Sequence, residues 1–387
     1  MRHLIGYEIK KLLKRTSTWA AFIAMLGVQA FIGFSGYIGD FMYGDTPGLE
    51  QAAAEKIVGR TLDESLVAEV AEVEAEIAEL GEDYWSDDYW QSDVYKTQIL
   101  PYMDLRAKLL YGGVGADATG DIYRLRENLQ SAMFDSYGLT DSEKAHWEKQ
   151  EADVEKPFIY EYAGTWEALS SMNGVYMTSM LITFFIAVCM VGVFTEESAK
   201  KTDQLLLCAR YGREPLYGAK LIAGSIVVLA ASALIEGVYL LGHFLYYGAS
   251  GFDESIQMGL AFIFPHALSI GETCLIMVGI LFLSSLLIGL IAMLLAQLLH
   301  HSLGAMAILI GAVFAARLIP VPQDWRVLSM LWNLIPINML KVDQGFLELR
   351  LYGGLTGYQL APLVYLVLAV VCVVSGRRLW CRMQIGG

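Results

Sequence analysis

The chain has 387 residues, 55% of them apolar, and a mean hydropathy of +0.45. That apolar fraction exceeds the soluble norm of roughly 45–50%, and it is gathered into runs of 17 or more residues, which excludes an ordinary soluble enzyme and predicts membrane-crossing helices. The formal net charge of −14 hides a division: residues 39–173 hold 29 of the 41 acids and 10 of the 27 bases, so the remainder is mildly basic. With no basic stripe interleaved with aromatics, no nucleic-acid partner is expected.

Residues 1–16 carry Arg2, Lys10, Lys11, Lys14 and Arg15, with Leu4, Ile5, Ile9, Leu12 and Leu13 at helical spacing. They read as a basic amphipathic helix on the cytoplasmic membrane surface. The uncharged run 17–39 follows as an uncleaved first span. Residues 40–173 then form an acidic, mostly helical extracellular domain. Leu62, Leu66, Val70, Val73, Ile77 and Leu80 fall at heptad-like spacing, with Thr61 and Glu64 as a capping box and Gly81 as the stop. Tyr84, Trp85, Tyr89 and Trp90 suit a domain core, a headgroup anchor or a gripping surface. Ile122, Leu125, Leu129 and Met133 mark another helix. Thr140 and Glu143 cap a third around Trp147.

Further spans are expected at 174–193, 221–247, 273–299, 302–319 and 359–376, with a re-entrant or surface helix at 258–272 and outer re-entrant helices within 320–358. The fold class is therefore an all-α polytopic membrane protein of six transmembrane helices, with the extracellular domain between the first and second. Lys and Arg number five in residues 1–16, five in 194–220 and three in the tail 377–387. That bias predicts cytoplasmic termini. The five cysteines, 189, 208, 274, 372 and 381, lie outside the acidic segment and match neither a disulfide framework nor a zinc pattern.

Motifs for catalysis are missing: no P-loop, GxGxxG, HExxH or GxSxG occurs. His300-His301 reads as a turn. Glu236, inside an apolar run, is a candidate functional acid, neutral or paired with His243 or the neighbourhood of Glu272. Residues 194–220, FTEESAKKTDQLLLCARYGREPLYGAK, have charged ends around Leu205-Leu206-Leu207. Such a stretch reads as a surface amphipathic helix, a plug for a partner's groove or a solvated loop.

Here the chain resembles the permease subunit of ABC-2-type exporters, the type V exporter fold. That family opens with an inner-surface amphipathic helix and joins its second and third spans by a cytoplasmic coupling helix. Phe194, Glu197, Thr202, Leu205-Leu206, Arg210 or Arg213, and Lys220 fall where family members carry F-x-x-E, Gly-Thr, a leucine pair, an arginine and a lysine. Lys201 replaces the common glycine and Cys208-Ala209 the Ser-Pro turn, while Asn333-Leu334-Ile335-Pro336 resembles the family's outer re-entrant helices. The resemblance implies a bacterial plasma-membrane permease that moves an amphipathic substrate (peptide, antibiotic or lipid-like) outward. It implies motor coupling through Glu197, Leu205, Leu206, Leu207, Arg210 and Arg213. It also implies two copies of an ABC ATPase subunit that hold ATP and Mg, a second permease, and no cofactor on this chain. A membrane-anchored sensor or immunity protein with a ligand-binding extracellular domain is the competing reading.

Overall fold

The computed structural model describes residues 2–43, 48–114, 121–199, 212–259 and 262–382. Among them there is no β-strand, only three isolated bridges. The helices of six or more residues, in chain order, are α1 (Arg2–Leu13), α2 (Thr16–Gly33), α3 (Ser35–Tyr43), α4 (Leu49–Ala54), α5 (Glu64–Leu80), α6 (Leu100–Tyr111), α7 (Ile122–Ser136) and α8 (Asp141–Ala152). They continue with α9 (Gly164–Ser170), α10 (Met177–Cys189), α11 (Gly192–Ala199), α12 (Glu214–Tyr247), α13 (Ile270–Leu299), α14 (Ser302–Leu318), α15 (Arg326–Asn333) and α16 (Gly357–Arg382). Among the described residues five stretches are long and apolar enough to cross a membrane: Thr16–Gly33, Met172–Glu197, Glu214–Tyr247, Ile270–Leu299 and Gly357–Arg382. The protein is an all-α polytopic membrane protein at this level of description.

One apolar core joins these spans. Phe185, Ile186 and Met190 pack with Val228 and Ile235 of α12, Leu281 and Met293 of α13, and Tyr365 of α16. Close helix approach is built on glycine where α2 crosses α12. A Cβ on Gly33 would stand 2.9 Å from the Tyr239 Cα, and one on Gly242 would stand 2.3 Å from the Gly33 carbonyl oxygen. Backbones this close tolerate no side chain. Gly242→Leu is expected to lower stability by about 1–3 kcal/mol through overpacking. Gly237→Leu, where a Cβ meets nothing within 4 Å, should be neutral. Thermal midpoints of the two variants in one detergent check this, and equal midpoints would mean the crossing is loose.

The acidic segment is not self-contained. Ala163 and Leu169 belong to the membrane core, so the segment's last helix, α9, packs with the spans. Conversely, Met258 and Phe262 complete the segment's own core beside Leu66, Leu105 and Phe158. The 258–272 helix is also corrected. Among the described residues between α12 and Ile270 only Ile256–Gly259 is helical, residues 264–268 have no regular structure, and α13 already starts at Ile270. Ser269 and Glu272 form a capping box there, each accepting from the other's backbone N–H at 3.1 Å. An S-x-x-E box marks a helix start, here three residues before the expected start of the span at 273.

The non-helical strip is held by side chains of the segment. Arg126, fully buried, donates to the Phe262 and Phe264 carbonyls at 2.6 and 3.2 Å, and Gln130 donates to Ile263 O at 3.2 Å. Glu151 neutralises Arg126. Trp147 donates to Leu349 O at 2.6 Å. These bonds satisfy backbone groups that would otherwise be buried unpaired.

Two local readings are refined. Helix α5 is capped by Asp63, which accepts from Leu66 N at 2.9 Å, and not by a Thr61–Glu64 box. Asp is at least as good an N-cap as Thr. The Thr140–Glu143 box at α8 is present, and α5 ends at Gly81 with φ +54. Tyr84, Trp85, Tyr89 and Trp90 pack on one another, with centroids 5.2–6.4 Å apart, leaving Trp85 exposed.

Candidate functional site

The buried face of α1 carries Leu12 and, one turn earlier, Glu8. A buried acid in a basic surface helix needs a cation, and Lys220 near the start of α12 supplies it. Lys220 is fully buried, and its Nζ lies 3.1 Å from Glu8 Oε2, 2.6 Å from Glu197 Oε1 and 3.2 Å from the Val193 carbonyl. An ammonium has three N–H donors, so all are used. Lys11 of α1 also reaches Glu197 Oε1, at 2.8 Å. Arg15 pairs with Glu196 and donates to Gly192 O at 3.1 Å and Cys189 O at 3.4 Å. Cations thus close the carbonyl end of the second long apolar stretch, where the helix dipole favours them. Through this latch α1, α11 and α12 are locked together.

A second clamp lies just after residue 211. Trp380 Nε1 donates to Gly212 O and Arg213 O at 3.3 and 3.1 Å. Arg213 donates to Cys381 O at 3.2 Å, Arg377 to Glu214 at 2.8 Å, and Tyr217 to Val373 O at 2.9 Å. Phe194 bridges the two clamps, its ring 5.3 Å from that of Trp380 and 5.7 Å from that of Tyr217. Of the expected coupling residues, Glu197 therefore sits in the first clamp and Arg213 in the second. Leu205, Leu206, Leu207 and Arg210 lie outside the described residues.

Glu236 lies in the middle of α12, 2% exposed. The Thr178 hydroxyl faces its carboxyl, but neither carboxyl oxygen reaches hydrogen-bonding geometry with any described group. Thr178 in turn accepts from Gln29 Nε2 at 2.6 Å. The partners expected from sequence are elsewhere. His243 Nδ1 is 3.0 Å from Tyr239 O, with its ring against Tyr239 and Tyr247, and Glu272 serves as a cap. Three helices thus bring one carboxyl, one hydroxyl and one amide together away from water. Such a group can hold a proton or a polar ligand group.

Sequence reasoning missed Glu8, Lys11, Arg15, Gln29 and Thr178. Two of these carried a signal. Glu8 shares the Leu4–Leu12 face by i±4 spacing, and Gln29 is the lone amide in the 17–39 run. No protein-family model, curated protein or solved structure matches this chain.

Proposed function

We propose that this chain is the permease subunit of a bacterial ATP-driven exporter of the ABC-2 type, moving an amphipathic substrate outward with a separate ATPase subunit. The observation that carries the reading is the pair of clamps around residues 200–211. A segment pushed by a partner transmits force only if both of its ends are fixed. Here one end is fixed to α1 and α12 by Lys11, Arg15 and Lys220, and the other to α16 by Trp380. Displacement of the segment would pass directly into the spans. A solvated loop needs no such anchorage.

In this reading α14, 17 residues and about 26 Å long, is the fifth of six spans, crossing with local thinning of the bilayer. The basic-residue bias puts both termini in the cytoplasm and the acidic segment outside. Two permeases and two ATPase subunits form the working unit, and ATP and Mg reside on the ATPase. The test is a pull-down of the motor subunit by wild type and by Leu206→Asp at two salt concentrations. Loss of an interface hot spot costs about 2 kcal/mol or more, so recovery should fall roughly thirtyfold in affinity terms. Equal recovery, with wild-type transport, would make the segment an ordinary loop and favour the sensor reading.

Topology gives an independent check. A cysteine replacing Ser92 should react with an impermeant thiol reagent in intact cells, while Cys208 should stay unlabelled. Labelling of Cys208 from outside would invert the orientation.

A further inference from the structure

At the end of the bundle opposite the clamps, the acidic segment meets the spans around a cleft of about 590 Å³. That size suits a small amphipathic molecule. One wall already shows how this protein holds an ammonium group. Lys108 Nζ, buried, lies 2.7 Å from Glu167 Oε1, 3.0 Å from Asp104 Oδ2 and 3.1 Å from Glu254 Oε1, and 4.8 Å from the centre of the Tyr160 ring. Carboxylates and a tyrosine face together solvate the charge. Asp104 and Glu167 keep part of their surface open towards the cleft.

The same combination recurs at the cleft's mouth, without a cation beside it among the described residues. Glu50 lines the cleft and is exposed. The charged groups that act on it are Asp104 and Asp40, both acids. Tyr162 and Tyr247 stand beside it, their rings 6.2 Å apart, and both line the cleft. On the opposite wall Lys341 lies 5.6 Å from the centre of the Tyr176 ring. Counting the buried Glu254 behind Lys108, four acids meet two bases around this space. An anionic ligand would be repelled at the mouth, whereas an amine would relieve the repulsion among the acids.

We propose that this cleft binds a molecule carrying a protonated or quaternary amine on an apolar body, with the amine seated between Glu50 and the rings of Tyr162 and Tyr247. That such a cationic amphiphile is the exported cargo rests on the exporter reading; that it binds here does not. A soluble amphiphile and the headgroup of an aminolipid share this chemistry.

The experiment uses the full chain in uncharged maltoside micelles, with octylammonium and octanoate as probes of equal length and opposite charge, followed by titration calorimetry against empty micelles. Octylammonium should bind and octanoate should not. Glu50→Gln should weaken octylammonium about tenfold and Glu50→Lys should abolish it, with thermal midpoints no lower than wild type, because the charges acting on Glu50 are acids. Phosphatidylethanolamine is then added to the micelles. Competition with octylammonium identifies an aminolipid as the occupant, and unchanged binding identifies a soluble amphiphile. Equal binding of the two probes, or unchanged octylammonium affinity in both Glu50 variants, overturns the proposal. Because no motor subunit is present, this result is separable from the pull-down.

Discussion

Lys220→Met is expected to destabilise the protein by about 3–5 kcal/mol, the usual cost of stripping one partner from a buried charge pair. Methionine fills a comparable volume, so packing is largely retained. What is lost is the cation facing two carboxylates whose side chains are only 7% and 6% exposed. Glu197 keeps Lys11 at 2.8 Å, but Glu8 is left without a cation among the described residues. A second change, Glu8→Gln, should therefore restore much of the loss, a coupling that a double-mutant cycle reads directly. Thermal midpoints of the four proteins in detergent measure it. Additive effects, or a Lys220→Met midpoint equal to wild type, would mean that water reaches the latch. The same variant should open the chain to protease near residues 200–211, since one of the two anchors is weakened.

Lys108→Met should cost a comparable amount up to neutral pH and progressively more above it. Burial opposes the charge of Lys108, yet Glu167, Asp104 and Glu254 hold its pKa well above the ordinary lysine value. Burial pushes the Glu254 carboxyl up to about 7 and raises Glu167 as well, with Lys108 working against both shifts. A carboxyl raised in the folded state gives stability that is complete below its unfolded value of 4.5 and lost as pH rises through about 7. Without Lys108 those carboxyls rise further, so the variant goes on losing stability above about 7, where the wild type levels off. His266 acts in the opposite sense. Burial lowers it to about 3, so stability rises with pH from about 3 up to its ordinary value of 6.5. That contribution is common to wild type and variant and cancels in the difference. Midpoints recorded from pH 5 to 9 should show a gap that is level up to about 7 and widens above it. A gap independent of pH would mean that the carboxyls are solvated.

What could be read in advance followed physical scale. Apolar runs long enough for a bilayer, and caps such as Thr140–Glu143, are written within a few residues of chain, and they led to the all-α polytopic class and to α8. The capping of α5 failed at single-residue level because Asp63 and Thr61 are both good caps and only backbone geometry separates them. The 258–272 stretch failed for a different reason. Its polar backbone is satisfied by Arg126 and Gln130, more than 130 residues away in the chain, and no local pattern announces such a donor. The latch was half legible. Glu197, Arg213 and Lys220 stood out in the 194–220 segment, but their partners on α1 and α16 lie about 170–210 residues away. Glu236 was visible as a charge in an apolar run, whereas Gln29 and Thr178, which meet around it, became meaningful only once three helices were side by side.

The stitching of Arg126, Gln130 and Trp147 to residues 262–264 and 349 has a consequence for biosynthesis. When residues 48–163 leave the ribosome, the Phe262 carbonyl that Arg126 needs, 136 residues further along the chain than Arg126, has not yet joined them, and the one that Trp147 needs lies 202 residues beyond Trp147. Nascent helices α5 to α8 can form from their own caps and seams, but their core stays open until Met258 and Phe262 arrive to close it. Truncated chains that end before residue 258 should therefore be clients of chaperones or proteases. For the same reason, cutting residues 48–163 out as a recombinant fragment would leave a buried arginine facing solvent and a core missing one of its sides.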